Sequence, residues 1–146
     1  MLKIGLASDH AGFELKKHLE NYLSSEGIST TDYGCFSEQS CDYPDFAHAL
    51  ANGLEKGECT LGIAICGTGQ GMSITLNKHQ GIRAALCWSP EIAELARRHN
   101  NANILVMPGR FLQKPEAEKI TKTFLETSFD GGRHIARVNK IPLSEN

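Results

Sequence analysis

The sequence predicts an α/β fold of three layers, with helices covering both faces of a five-stranded parallel sheet and a helical tail at the C-terminus. Three observations carry that prediction. Five short apolar runs of strand length alternate with segments whose apolar residues recur at helical spacing. One of those runs, Leu61 to Cys66, is apolar throughout, as expected of a strand covered on both faces. The 146 residues are one domain's worth and can bury a core without staples, so a single domain over 1–146 is expected.

The elements follow in order. Leu2 to Ala7 reads as a short buried strand. Phe13 to Ser25 reads as a helix, with Leu15, Leu19, Tyr22 and Leu23 on one face and lysines and glutamates on the other. Gly27 suits the left-handed position that ends a helix. Ile28 to Tyr33 is a β-branched strand candidate, and 34–42 is a polar loop. Pro44 fits the first turn of a second helix, whose inner stripe is Phe46, Ala47, Leu50, Ala51 and Leu54. After the Leu61–Cys66 strand come a glycine loop, a short helix and a strand over Ile82 to Trp88. Ser89 is the expected N-cap of a helix with Pro90 in its first turn. Ile104 to Met107 is the fifth strand, Pro115 opens another helix, and the tail from Gly131 reads as helical.

Bulk properties exclude several function classes. A net charge of -2 gives no global reason to bind nucleic acid or a membrane surface, so any anion site must be built locally. No apolar run approaches the ~18 residues that a membrane span needs. The N-terminus turns polar at Ser8 and is not expected to be a signal peptide. Five cysteines, without a CxxC pair, form neither a disulfide framework nor a zinc ribbon, and fit a reduced, cytoplasmic setting. Without an HExxH motif or paired cysteines, no metal site is expected.

In a parallel sheet, ligands bind at the carboxyl ends of the strands. The most informative segment there is Cys66-Gly67-Thr68-Gly69-Gln70-Gly71, where a strand runs straight into alternate glycines and then a helix. Glycines let the backbone approach a ligand and aim several N–H groups at one point. Such a loop binds phosphate, or an oxyanion formed during a reaction. Its spacing is not that of a Walker loop or of a dinucleotide fingerprint, and Met72 stands where a cysteine phosphatase would need arginine. Cys66, beside those amides, is either an activated thiol or a small core residue, as Cys59 and Cys87 are read.

Other segments at the same edge carry chemistry. Asp9 could orient an imidazole or handle a sugar hydroxyl and His10 could meet a phosphate, or the pair could be a helix cap with an exposed neighbour. His99 and Asn100 close a helix; the histidine could be a general acid/base or simply complement the helix dipole. Arg133 and Arg137 stand at i and i+4 and could converge on a phosphate, with Arg110 as a third contact, or form a solvated basic face. His18, His48 and His79 lack ligand-like spacing and read as surface or packing residues.

Taken together, these pieces resemble the ribose-5-phosphate isomerase B and galactose-6-phosphate isomerase family over nearly the whole chain. The matching segments are Ser8 to Phe13, Asp42-Tyr43-Pro44, Cys66 to Gly71, Asn77-Lys78, Gly81 to Ala84, Arg98-His99-Asn100, Pro108-Gly109-Arg110, and Gly131 to His134 with Arg137. The resemblance implies a Rossmann-type sheet and a cofactor-free aldose–ketose isomerase. It implies Cys66 as the base moving a proton between sugar C2 and C1, His99 for ring opening and Thr68 assisting with hydroxyl protons. The amides of Gly67, Gly69, Gln70 and Gly71 would stabilise an enediolate. His10, Arg110, Arg133 and Arg137 would take the phosphate, and Asp9 and Asn100 the sugar hydroxyls. It further implies a homodimer or tetramer in which His99, Asn100, Arg133 and Arg137 reach the partner's site. Ribose 5-phosphate is the expected substrate, and a six-carbon sugar phosphate the alternative.

Overall fold

The computed structural model describes residues 2–144. Its five strands are β1 (Lys3–Ser8), β2 (Ser29–Asp32), β3 (Leu61–Cys66), β4 (Ala84–Leu86) and β5 (Ile104–Pro108). They form one sheet in the order β2-β1-β3-β5-β4, and every neighbouring pair is parallel. The connecting helices are α1 (Phe13–Ser25), α2 (Tyr43–Glu55), α3 (Gln70–Leu76), α4 (Pro90–Asn100) and α5 (Lys114–Glu126), with α6 (His134–Asn139) in the tail.

Alternation along the strands assigns the two faces. Ile4, Leu6, Ile63, Ile65, Leu105 and Met107 point toward α1, α4 and α5, where they meet Leu19, Ala93, Ile120 and Phe124. Ala7, Ala64, Cys66, Ile104 and Val106 point the other way, against Ala47, Leu50, Met72 and Leu76 of α2 and α3. The predicted three layers are therefore present. The chain leaves β1 for β2 on one side and returns to β3 on the other, so the carboxyl ends of β1 and β3 flank a topological switch point. Among the described residues, no helix is long and apolar enough to cross a membrane.

Several boundaries differ from the expected ones for identifiable reasons. Ile28 belongs to the end of α1: Gly27, at φ 75°, donates its N–H to the Ser24 carbonyl at 3.0 Å, and the Ile28 N–H reaches the Leu23 carbonyl at 2.9 Å. This is a Schellman closure, which delays β2 to Ser29. β4 is shorter than Ile82 to Trp88 because it is an edge strand paired only with β5; the Arg83 N–H goes instead to Asn103 Oδ1 at 2.7 Å. The tail helix begins at His134, after Gly131 and Gly132 at φ 68° and 56°. Lys16, expected on the solvent face of α1, is 1% exposed. Ser89 does cap α4, accepting the Ile92 N–H at 3.3 Å.

Candidate active site

β3 carries Cys66 to the carboxyl edge of the sheet and turns its side chain toward α2 and α3, leaving it 5% exposed. The loop that follows needs its glycines. Gly69 lies at φ 76°, which side-chain-bearing residues rarely adopt. A Cβ on Gly67 would stand 3.0 Å from Arg110 Nε, so the arginine side chain lies close against this turn. The Arg110 backbone N–H also donates to the Gly67 carbonyl at 3.0 Å. Thr68 is exposed, and its Oγ1 accepts the Gln70 N–H at 3.2 Å.

The end of β1 packs directly against this edge. Asp9 is buried, and its Oδ1 accepts the Gly12 N–H at 3.0 Å. The Asp9 N–H donates to the Ile65 carbonyl at 3.3 Å, which ties the β1 turn to β3. His10 Nδ1 accepts the Cys41 N–H at 3.2 Å. A neutral imidazole that accepts at Nδ1 carries its proton on Nε2 and presents that nitrogen as a donor.

One cleft of ≈ 320 Å³ gathers Asp9, His10, Cys66, Gly67, Thr68, Gly71 and Arg110 from the predicted set, together with Tyr43. Gly69, buried behind the loop, and Gln70, exposed beside it, are not part of that lining. The remaining predicted residues lie elsewhere. His99, Asn100 and Arg137 line a second cleft of ≈ 360 Å³, with His134, Val138 and Ile141, and the two clefts share no residue. Arg133 is exposed at the start of α6 and lines neither cleft.

In the second cleft the rings of His99 and His134 stack, with centroids 4.5 Å apart and planes inclined by 15°. Partial burial, then the charges of His99, Arg133 and Arg137, hold His134 below the ordinary histidine range, against the opposing pull of Asp130. His99, Asp130 and His134 bring potential ligand atoms within 4.8 Å of one another. Asp130 is already engaged by Arg98 Nε, 3.2 Å from each carboxylate oxygen. In-plane lone pairs of near-parallel rings run side by side instead of converging, so this trio does not form the tetrahedral donor set of a zinc site.

A family model described as Ribose/Galactose Isomerase matches residues 4–141. The chain belongs to the ribose/galactose isomerase family. Ribose-5-phosphate isomerase B of Escherichia coli is 40% identical over 145 residues, covering 99% of this chain and 97% of that protein. The crystal structure of a ribose 5-phosphate isomerase from Thermotoga maritima superposes with a TM-score of 0.95 at 54% identity, covering 97% of both chains. The Mycoplasma genitalium ribose-5-phosphate isomerase B, solved with bound ribulose-5-phosphate, gives 0.91 at 42% identity over 96% of this chain and 93% of that one.

The cleft of this family member contains contributions that residue-type reasoning missed. Tyr43 reads as the start of a helix because Pro44 follows it. Its ring lies where a Cβ on Gly71 would come within 2.5 Å, so the glycine makes room for an aromatic wall. The backbone amide of Cys41, which sets the His10 ring, leaves no signature in a side-chain inventory. His134 stood within a recognised segment, but its stacking on His99 depends on how α6 folds back onto α4.

Proposed function

We propose that the protein interconverts D-ribose 5-phosphate and D-ribulose 5-phosphate through an enediolate, without a cofactor. The observation that carries this reading is the single cleft holding the Cys66 thiol, the amide-rich turn after it, and the cationic or donor groups of His10 and Arg110. Family membership supports the same reaction class.

In this mechanism the phosphate does not react; its binding anchors the sugar so that C1 and C2 lie over Cys66. His10 and Arg110 hold it from one chain, with Arg133 and Arg137 reaching in from a partner chain. His99 of that partner opens the furanose ring by moving a proton between the ring oxygen and the anomeric hydroxyl. Asp9 and the partner's Asn100 take sugar hydroxyls. The Cys66 thiolate removes the proton on C2 of the open aldose, the electron pair forms the C1–C2 double bond, and the carbonyl oxygen becomes an oxyanion. N–H groups of Gly67 to Gly71 stabilise that charge; one such donor is typically worth about 10²–10³ in rate. Thr68 assists the proton exchange between the two oxygens. Cys66 then returns its proton to C1, giving the ketose.

The test is turnover of ribose 5-phosphate by purified protein in EDTA, wild type beside Cys66→Ala. The variant should bind substrate and lose about 10²–10⁴ in kcat, the range expected for removal of a positioned base. A variant that retains wild-type kcat would remove Cys66 from the chemistry. A folded wild type that turns over six-carbon aldose phosphates in preference would shift the substrate by one carbon.

A further inference from the structure

The loop over 34–42 carries two thiols that the proposed reaction leaves unused, and both face the end of β1. Cys35 is 3% exposed; its Sγ lies 3.8 Å from Ser8 Oγ and donates to the Ser37 carbonyl at 3.3 Å. Its backbone is fixed from two sides. The N–H donates to the Ser8 carbonyl at 2.8 Å, and its own carbonyl accepts from the buried Lys16 ammonium. Cys41 is half-buried; its N–H holds His10 Nδ1, and its Sγ lies 3.9 Å from the same nitrogen. Ser8 and His10 are two residues apart, so one short turn touches both sulfurs.

Both sulfurs therefore lie against the same turn, six residues apart on one exposed loop. Burial first, and the neighbouring Cys35 thiol second, raise the Cys41 thiol above its ordinary range. Cys41 is therefore protonated at neutral pH, and only the thiolate that forms as pH rises attacks an oxidant. The intervening residues 36–40 are all exposed, so Cys41 can move without disturbing the core, whereas Cys35 cannot.

We propose that Cys35 and Cys41 are a redox modification site: a hydroperoxide joins them in a disulfide, which draws the Cys41 amide away from His10 and weakens phosphate binding in the cleft. The Cys41 thiolate attacks one peroxide oxygen and the O–O bond breaks. Cys41 becomes a sulfenic acid, and the other oxygen leaves as water or an alcohol, taking up the proton that the thiol lost. The Cys35 sulfur then attacks the Cys41 sulfur. An S–S bond forms, and the sulfenic hydroxyl leaves as water with the Cys35 proton. Two thiols are oxidised by two electrons and the peroxide is reduced by the same two.

The effect on sugar phosphate rests on the proposed function; the crosslink does not. Wild type and Cys41→Ser are treated with hydrogen peroxide at mildly alkaline pH. Peptide mass mapping then reads the crosslink, and NMR at His10 reads inorganic phosphate binding. Wild type should lose two free thiols, yield a Cys35–Cys41 crosslinked peptide and bind phosphate about tenfold more weakly, with dithiothreitol reversing all three. Its KM for ribose 5-phosphate should rise by a similar factor while kcat changes less than about twofold; tenfold corresponds to about 1.4 kcal/mol. Cys41→Ser and, independently, Cys35→Ala should show no such change on peroxide treatment. Oxidation confined to Cys66, read as lost kcat without the crosslink, overturns the proposal. So does a crosslink that leaves phosphate binding unchanged. If no sugar phosphate is turned over, the crosslink and the phosphate titration still decide it.

Discussion

Lys16 places a charge where a helix normally places a leucine. Its ammonium lies 2.8 Å from Asp32 Oδ1, donates to the Cys35 carbonyl, and sits 5.4 and 5.6 Å from the ring centroids of Phe13 and Phe36. Asp32 also accepts the Gly34 N–H at 2.9 Å and meets Lys17 at 3.5 Å, and its side chain is 13% exposed against 1% for Lys16. The two partners are therefore not equivalent. Removing Asp32 leaves a fully buried ammonium without its counter-ion, whereas removing Lys16 leaves a carboxylate with a second lysine and some water. Asp32→Ala should cost about 3–5 kcal/mol and Lys16→Met clearly less. Urea denaturation of both variants checks the order, and equal or reversed costs would contradict it. Residues of this kind were illegible in the sequence because the partner stands 16 positions away on another element. Cys66 and its glycines were legible because that signal is local: a buried strand, a break in side chains, and a helix in one uninterrupted run.

An element is legible in the sequence where its own residues determine it. β3 has the predicted limits because no polar residue interrupts Leu61 to Cys66. β4 and α6 are shorter than their sequence patterns because their ends depend on neighbours: an edge position for one, and two glycines at positive φ before the other. α6 matters beyond its length, since it sets His134 on His99 at the last turn of α4. The His134 imidazole should titrate below the ordinary ~6.5. It therefore binds a proton less readily in the folded chain than in the unfolded one. Its linkage sign follows: the associated stability is present above about pH 6.5 and is lost as pH falls through the lower folded value. NMR titration of the ring checks this directly. His99→Ala should raise the His134 pKa, because it removes both covering surface and a cationic neighbour; an unchanged or lowered value would reject that cause.

At the scale of the whole molecule, the division of the predicted set into two clefts is the fact to be explained. Cys66 and the β1 turn lie in one; His99, Asn100 and Arg137 lie in the other. Ring opening and proton transfer act on the same small sugar, so residues proposed for both steps must reach one ligand. A second copy of the chain satisfies this if its α4–α6 cleft closes over the first copy's Cys66 cleft. Ile141, which lines the second cleft, is 52% exposed, and Ile135 and Trp88 are 48% and 58% exposed. Apolar side chains left in water in this way suit burial between subunits. Complementation tests the arrangement. Cys66→Ala and Arg137→Ala should each be nearly inactive alone. After mixing with subunit exchange, half the dimers are hybrids, and each hybrid has one site with both lesions and one with neither. Activity should return to roughly a quarter of the wild-type value, as expected of a two-fold assembly whose sites span the interface. Exchange confirmed by native mass spectrometry, with no activity recovered, would place both residues in one subunit's site and require the chain to bring its two clefts together by folding differently.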